Sequence, residues 1–449
     1  MNLMKTQNKQ HMKFKKILFS LLLMLIFLAQ ESIAQGKLTL QEAIAAALQN
    51  NFDIKLVNND LQIAKNNANP GNAGFLPSLD GTFTEGGSRQ NTTRTQSTGA
   101  EQTINGVRNT NMSYGVALDW TIFDGLQMFT NYERLKELQK LGEVTSKATI
   151  LTTISNVVNA YYTVLKQQEL VIARDSALDV SQLRLRIANN KLAIGRGSKL
   201  DVLTATVDYN TDTTAYLQEK NLLKNSMVSL NQVMARDLNL EFTVEEKIDI
   251  DTQLNYATLA GQMEQLNPDL QNAFISKKIA ELELKSVKGQ RYPVVAVNGG
   301  YEYQRSASPT GFNTRQKANG LTYGLTASLN LFNGFLQRQN ERNAKVMINS
   351  SELTLEKTRQ DLQAQLISAY KNYTTNLDLL KIENNNVDVA KQSLDITLEK
   401  YRLGSIAPLE LREAQRNSID AVARFLEAQY QAKLTEIILK EISGTLNVQ

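Results

Sequence analysis

The chain has 449 residues, 42% of them hydrophobic, with 49 Lys+Arg against 45 Asp+Glu, one His and no Cys. The first 34 residues hold five of the Lys, one Glu and His11, so the remainder carries 44 charges of each sign and neither imidazole nor thiol. This excludes disulfides, cysteine nucleophiles, His-based acid–base catalysis and the usual zinc sites from that remainder, and a nucleic-acid reading loses its electrostatic support.

In chain order, Lys13, Lys15 and Lys16 precede an apolar run from Ile17 to Ala29, and Ser32-Ile33-Ala34 follows. That pattern predicts a signal peptide over 1–34 with cleavage after Ala34. The run is shorter than the ~20 residues of a spanning helix.

A first structural repeat is expected over 35–235. Thr39 stands three residues before Glu42, a capping box that opens the helices of 39–72. Strands are expected at 78–84 and 112–123, and the Asn-, Thr-, Gln-, Gly- and Arg-rich stretch 85–111 between them reads as a polar surface loop. In the second strand Met112, Tyr114, Val116, Leu118, Trp120 and Ile122 share one face, and Ser113, Gly115, Ala117, Asp119 and Thr121 share the other. Asp124-Gly125 then leads into a helix over 125–194, about 100 Å long at ~1.5 Å per residue. Leu151, Ile154, Val158, Tyr161 and Leu165 mark its coiled-coil seam. A turn at 195–197 and a return helix over 200–235 complete the repeat. An acidic, mixed connector over 236–265 reads as a small α/β piece.

The plan then recurs over 266–449. A helix is expected at 269–290, strands at 294–303 and 321–332 around a polar loop (305–319), a long helix at 334–403, a turn at 404–407 and a last helix at 408–444. Asn267-Pro-Asp-Leu270 answers Asn51-Phe-Asp-Ile54, and Pro293 answers Pro77, at an offset of 216. Tyr323 to Gly334 answers Tyr114 to Gly125 at an offset of 209, as Tyr370 answers Tyr161, Lys400 answers Lys191 and Ala414 answers Ala205. Such registers mark an internal duplication.

Four strands with one apolar face, carrying Tyr114, Trp120, Tyr301 and Tyr323 as an aromatic girdle, suit a lipid interface. Packing of that face on the chain's own helices is the alternative, but the helices are too extended to cover a small sheet. An open sheet in lipid leaves unpaired backbone at both edges. Four strands are too few to close, since small barrels need ~8. Subunits must then share one barrel by cyclic symmetry.

The Leu38-Thr-Leu-Gln-Glu-Ala43 start, the paired proline entries to the strands and the twin junctions Phe123-Asp124-Gly125 and Phe332-Asn333-Gly334 resemble the TolC-like outer-membrane efflux family. So do the two Gly-centred turns, each followed by Leu-Asp or Leu-Glu and then Ala. The resemblance covers essentially the whole chain after the signal. It implies a mainly α fold with membrane β: long antiparallel coiled-coil helices forming a periplasmic α-barrel, and four strands per protomer in a shared twelve-stranded barrel of a homotrimer. It further implies a channel of the Gram-negative outer membrane, with no cofactor, metal or catalytic residue. Its partners would be a periplasmic adaptor (membrane fusion) protein and an inner-membrane RND, ABC or MFS pump, its cargo drugs, toxins or proteins.

By the same resemblance Glu410 and Glu413 ring a constriction at the periplasmic tip. Their i, i+3 spacing places them on one helical face, although acidic residues also suit a helix N-terminus without any such role. Asp201 and Tyr401 match an interhelical latch whose arginine position is Ile406 here. Gly195, Ser198, Leu200, Gly404 and Leu409 match the tip turns and adaptor contacts, and Asp124, Gly125, Asn333 and Gly334 the strand-to-helix junctions. The competing reading is a non-conducting periplasmic or cell-surface coiled-coil protein, which leaves the strands unexplained.

Overall fold

A computed structural model describes residues 37–245, 247–310 and 313–446, so the expected signal peptide over 1–34 lies outside it. Among the described residues no helix is long and apolar enough to cross a membrane.

Helices α1 (Leu40–Asn50), α2 (Phe52–Asn67) and α3 (Pro70–Ala73) divide the stretch expected to be helical over 39–72. The Thr39–Glu42 capping box forms, with Glu42 N–H donating to Thr39 Oγ1 at 3.2 Å and Thr39 N–H donating to Glu42 Oε2 at 2.9 Å. Each repeat then contributes one very long helix and one return helix. These are α4 (Gln127–Ala193) and α5 (Lys199–Val233) in the first repeat, then α8 (Leu336–Arg402) and α9 (Pro408–Ile442) in the second. The long helices have 67 residues each and the return helices 35 each. No proline interrupts any of the four, as helices of this length require. The connector holds α6 (Tyr256–Leu266), and α7 (Pro268–Gly289) lies between α4 and α8.

Two asparagines pin the shorter helices end to end. Asn51 accepts the Asp53 and Ile54 N–H groups at the start of α2, and its amide donates to Val233 O, at the end of α5, at 2.8 Å. Asn267 accepts the Leu270 N–H at the start of α7 and donates to Ile442 O, at the end of α9, at 2.9 Å. One side chain thus caps the first helix and satisfies an orphan carbonyl of the second.

The main core sits beside the midpoint of α4. Tyr161, Val157, Val164, Leu230 and Met234 are buried there with Val244 and Leu38. Those last two belong to β1 (Lys37–Leu38) and β4 (Thr243–Val244), which pair in parallel. A second core gathers Leu366, Tyr373, Met263, Leu270 and Leu439. The duplication extends to single hydrogen bonds: Tyr161 donates to Leu38 O at 2.9 Å and Tyr370 to Leu254 O at 3.4 Å.

Strands β2 (Ser78–Thr95), β3 (Glu101–Phe123), β5 (Val294–Ala307) and β6 (Arg315–Ser328) form one antiparallel sheet in that order, with β2 and β6 at its edges. Two sequence expectations are corrected here. Most of 85–111 is strand rather than a loop (85–95 and 101–111), and 305–307 and 315–319 are strand as well. Both faces of these segments are polar, so no apolar period reveals them, although Thr suits strands. β6 also ends at Ser328, short of the expected 332. Residues 101–109 of β3 outrun β5 and pair only with β2, so the first hairpin is taller than the second.

Each sheet-to-helix junction turns on two successive left-handed residues, Gly125 (φ 76°) with Leu126 (φ 68°), and Gly334 (φ 67°) with Phe335 (φ 66°). Left-handed leucine and phenylalanine are strained, and both copies keep that strain. A side chain at Gly125 would also drive its Cβ to 2.1 Å from Gly289 O.

Candidate functional site

The expected girdle residues all lie on one face of the sheet and all are exposed in the protomer, Tyr323 by 86%. Tyr114 stacks on its cross-strand partner Tyr303 with ring centroids 4.9 Å apart. Tyr301 accepts from Asn319, and Trp120 Nε1 donates to Phe75 O at 2.9 Å, tying the base of the sheet to the end of α3. The opposite face is small and polar, with Asp80, Asp119 and Glu302 among Gly115, Gly300 and Gly324.

The two helix turns form the opposite end of the chain, roughly 100 Å away along α4 and α8. Gly195 (φ 72°) and Gly404 (φ 76°) are left-handed residues directly after the C-caps Ile194 and Leu403 of the long helices. Arg196 N–H donates to Lys191 O at 2.8 Å and Ser405 N–H to Lys400 O at 3.0 Å, so the two turns are alike bond for bond. Leu200, at 70% exposed, and Leu409, at 75%, stand on the outside of the tip.

Asp201 does not make the hydrogen bond to Tyr401 that the latch reading expects. It occupies the third position of α5, where its carboxylate accepts Ser198 N–H at 3.0 Å while Ser198 Oγ accepts Asp201 N–H at 3.1 Å. This capping box holds the Asp201 carboxyl below its ordinary pKa. Tyr401 is buried, with Lys191 Nζ 5.0 Å from its ring centre. Burial pushes its hydroxyl pKa up, the Arg184 charge opposes that and Asp201 adds to it.

Glu410 is the counterpart of Asp201, with Ala407 where the first turn has Ser198. Only half of a box forms, Ala407 N–H donating to Glu410 Oε1 at 3.4 Å. Glu410 and Glu413 are exposed together, opposite the buried Leu411, Ala414 and Gln415. Ile406 is half-buried and carries no charge to the tip.

The structure adds a group that the sequence reading missed. Behind the turns, Arg184 of α4, Asp208 and Asp212 of α5 and Arg412 of α9 form a charge cluster. Arg184 pairs with Asp208, and Arg412 reaches Asp212 at 2.6 Å and Asp208 at 3.6 Å. Gln415, fully buried, donates to Ala177 O at 2.7 Å, Ser181 Oγ at 2.9 Å and Asp212 Oδ2 at 3.2 Å. Burial lowers the pKa of Arg184, and the Arg412 charge adds to this. Two arginines and two aspartates balance, so the cluster is neutral while it stays assembled. It ties the start of α9, and with it Glu410 and Glu413, to the hairpin of the other repeat.

A family profile described as outer membrane efflux protein matches residues 43–236 and 259–445. The outer membrane protein TolC of Salmonella enteritidis is 22% identical over 361 residues, covering 77% of this chain and 71% of that protein. The toluene efflux pump outer membrane protein TtgC of Pseudomonas putida is 22% identical over 410 residues, covering 90% and 82%. The Campylobacter jejuni CmeC outer membrane channel superposes with a TM-score of 0.74 at 19% identity, covering 90% of this chain and 85% of that one. The two matched segments fall on the two structural repeats, and the chain belongs to the outer membrane efflux protein family, whose members are outer-membrane channels of efflux and secretion rather than enzymes.

Proposed function

We propose that three copies of the chain assemble into one gated channel. Their sheets close a twelve-stranded barrel in the outer membrane, and their helices form a tunnel through the periplasm. The observation that carries this reading is the sheet itself, four strands with two open edges and an exposed apolar face. The apolar face is costly in water and suits lipid, but in lipid the open edges are intolerable until they are paired. The helices support the same assembly. Ile382, Val389, Ile396 and Leu403 recur every seven residues from the second half of α8 to its C-cap and are exposed, as are Leu200, Leu203 and Val207 on α5. These are coiled-coil seams without a partner in the protomer.

The tunnel would close at its helical tip, where Glu410 and Glu413 from three copies make a ring of carboxylates that favours cations over anions. The Arg184–Asp208–Arg412–Asp212 cluster holds α9 in place within each protomer. The exposed tip residues Leu200 and Leu409 would meet a periplasmic adaptor, which couples the channel to an inner-membrane RND, ABC or MFS pump. The cargo is a small molecule or a secreted protein.

Reconstitution in a planar lipid bilayer tests the reading. Discrete conductance steps are expected, with weaker cation selectivity in Glu410→Ala/Glu413→Ala. Chemical cross-linking of the detergent-solubilised protein should give a ladder ending at three. Protein that never conducts, even with Glu410→Ala and Asp201→Ala combined, overturns it.

A further inference from the structure

Beyond its aromatic rows, the outward face of the sheet turns basic. On that face, moving away from the helices, Tyr114 and Tyr303 are followed by the row Glu85–Met112–Arg305–Lys317. Arg315 comes in the next row, and Arg89 with Arg108 in the one after. The basic rows begin about 7 Å beyond the Tyr114–Tyr303 stack, at ~3.4 Å per residue. All five cations are exposed, and none forms an ion pair among the described residues.

Two features set this apart from an ordinary solvated surface. Arg89 stands directly opposite Arg108, and Arg305 directly opposite Lys317. Like charges facing each other across a strand pair destabilise a sheet unless an anion lies between them. The charges are also sorted by face. At the same heights the inward face is uncharged, with Ser88, Asn109, Asn111, Ser306 and Gln316, and deeper in the sheet its charged residues are the acids Asp80, Asp119 and Glu302. Glu85 is the one carboxylate among the outward basic rows.

We propose that Arg89, Arg108, Arg305, Arg315 and Lys317 form a binding collar for the phosphate groups of a glycolipid in the outer leaflet. Guanidinium groups match phosphate with paired hydrogen bonds, and long basic side chains reach headgroups while their stems stay on apolar surface. The collar is continuous with the apolar rows below it and lies at the end of the sheet farthest from the periplasmic helices. The proposal rests on the reading that the apolar face meets lipid.

The test uses full-length protein in neutral detergent, with bis-phosphorylated lipid A and the same glycolipid stripped of phosphate as probes. Native protein should bind the phosphorylated probe about tenfold or more tightly. Replacing all five cations by Gln should remove that preference, whereas Lys317→Arg should keep it. Equal binding of the two probes by native protein, or displacement of the lipid by millimolar inorganic phosphate, overturns the collar as a glycolipid site. A parallel measurement isolates the underlying reading: the sole tryptophan, Trp120, should be quenched by brominated acyl chains. If it is quenched and the preference is absent, only the collar fails. If it is not quenched, the lipid-facing reading fails with it.

Discussion

Arg412 Nη1 stands 2.6 Å from Asp212 Oδ2, an ion pair that crosses from the second repeat to the first. Removing one partner of a buried pair leaves an uncompensated charge, at about 3–5 kcal/mol. Arg412→Ala should therefore lower stability by up to about 3 kcal/mol, read as a shift in the urea midpoint. The loss in Arg412→Ala/Asp212→Ala should be smaller than the sum of the single losses. Because α9 also carries Glu410 and Glu413, single-channel recording of Arg412→Ala should show a higher open probability.

The Asn51 and Asn267 brackets should behave alike. Each alanine variant loses a helix cap and leaves a carbonyl unpaired, about 1–3 kcal/mol together. Asn→Ser keeps a capping oxygen and loses only the amide donor, so it should be milder at both positions. Thermal unfolding of the four variants checks the symmetry.

The junction glycines should not behave alike. Gly334→Ala meets no atom within 4 Å, so it pays only the left-handed conformation, about 1–2 kcal/mol. Gly125→Ala adds a Cβ at 2.1 Å from Gly289 O and must displace the end of α7. The yield of membrane-assembled protein should fall far more for Gly125→Ala.

The Asp201 cap makes the tip acid-sensitive. Its folded pKa is depressed by the Ser198 N–H, so its contribution is fully present above the unfolded value of about 3.9 and is lost as pH falls through the folded one. The difference in stability between native protein and Asp201→Ala should be constant from neutrality to about pH 5 and should shrink below about pH 4. Urea midpoints across that range give the answer.

Long, contrasted patterns were legible in the sequence. The Tyr114 and Tyr323 strands alternate apolar with polar, and α4 and α8 keep a helical seam without proline. The ribbon over 85–111 was not legible, because alternation needs two unlike faces and both of its faces are polar. The charge cluster was hidden for a different reason. Attention to positions shared by the repeats passes over residues that only one repeat has: at an offset of 209, Arg184, Asp208, Asp212 and Arg412 correspond to Ser393, Asn417, Ala421 and Leu203. The hydrogen bonds of Asp201 did have a signal. Ser198 and Asp201 have the spacing of Thr39 and Glu42, which is that of a capping box.

The unequal hairpins have a consequence for the cell exterior. In the proposed trimer three tall β2–β3 ribbons would alternate with three short β5–β6 hairpins, giving the mouth a crenellated rim. The turn around Gly99 would be the outermost point of the protein, and a peptide epitope inserted there should be stained by antibody on intact, unpermeabilised cells.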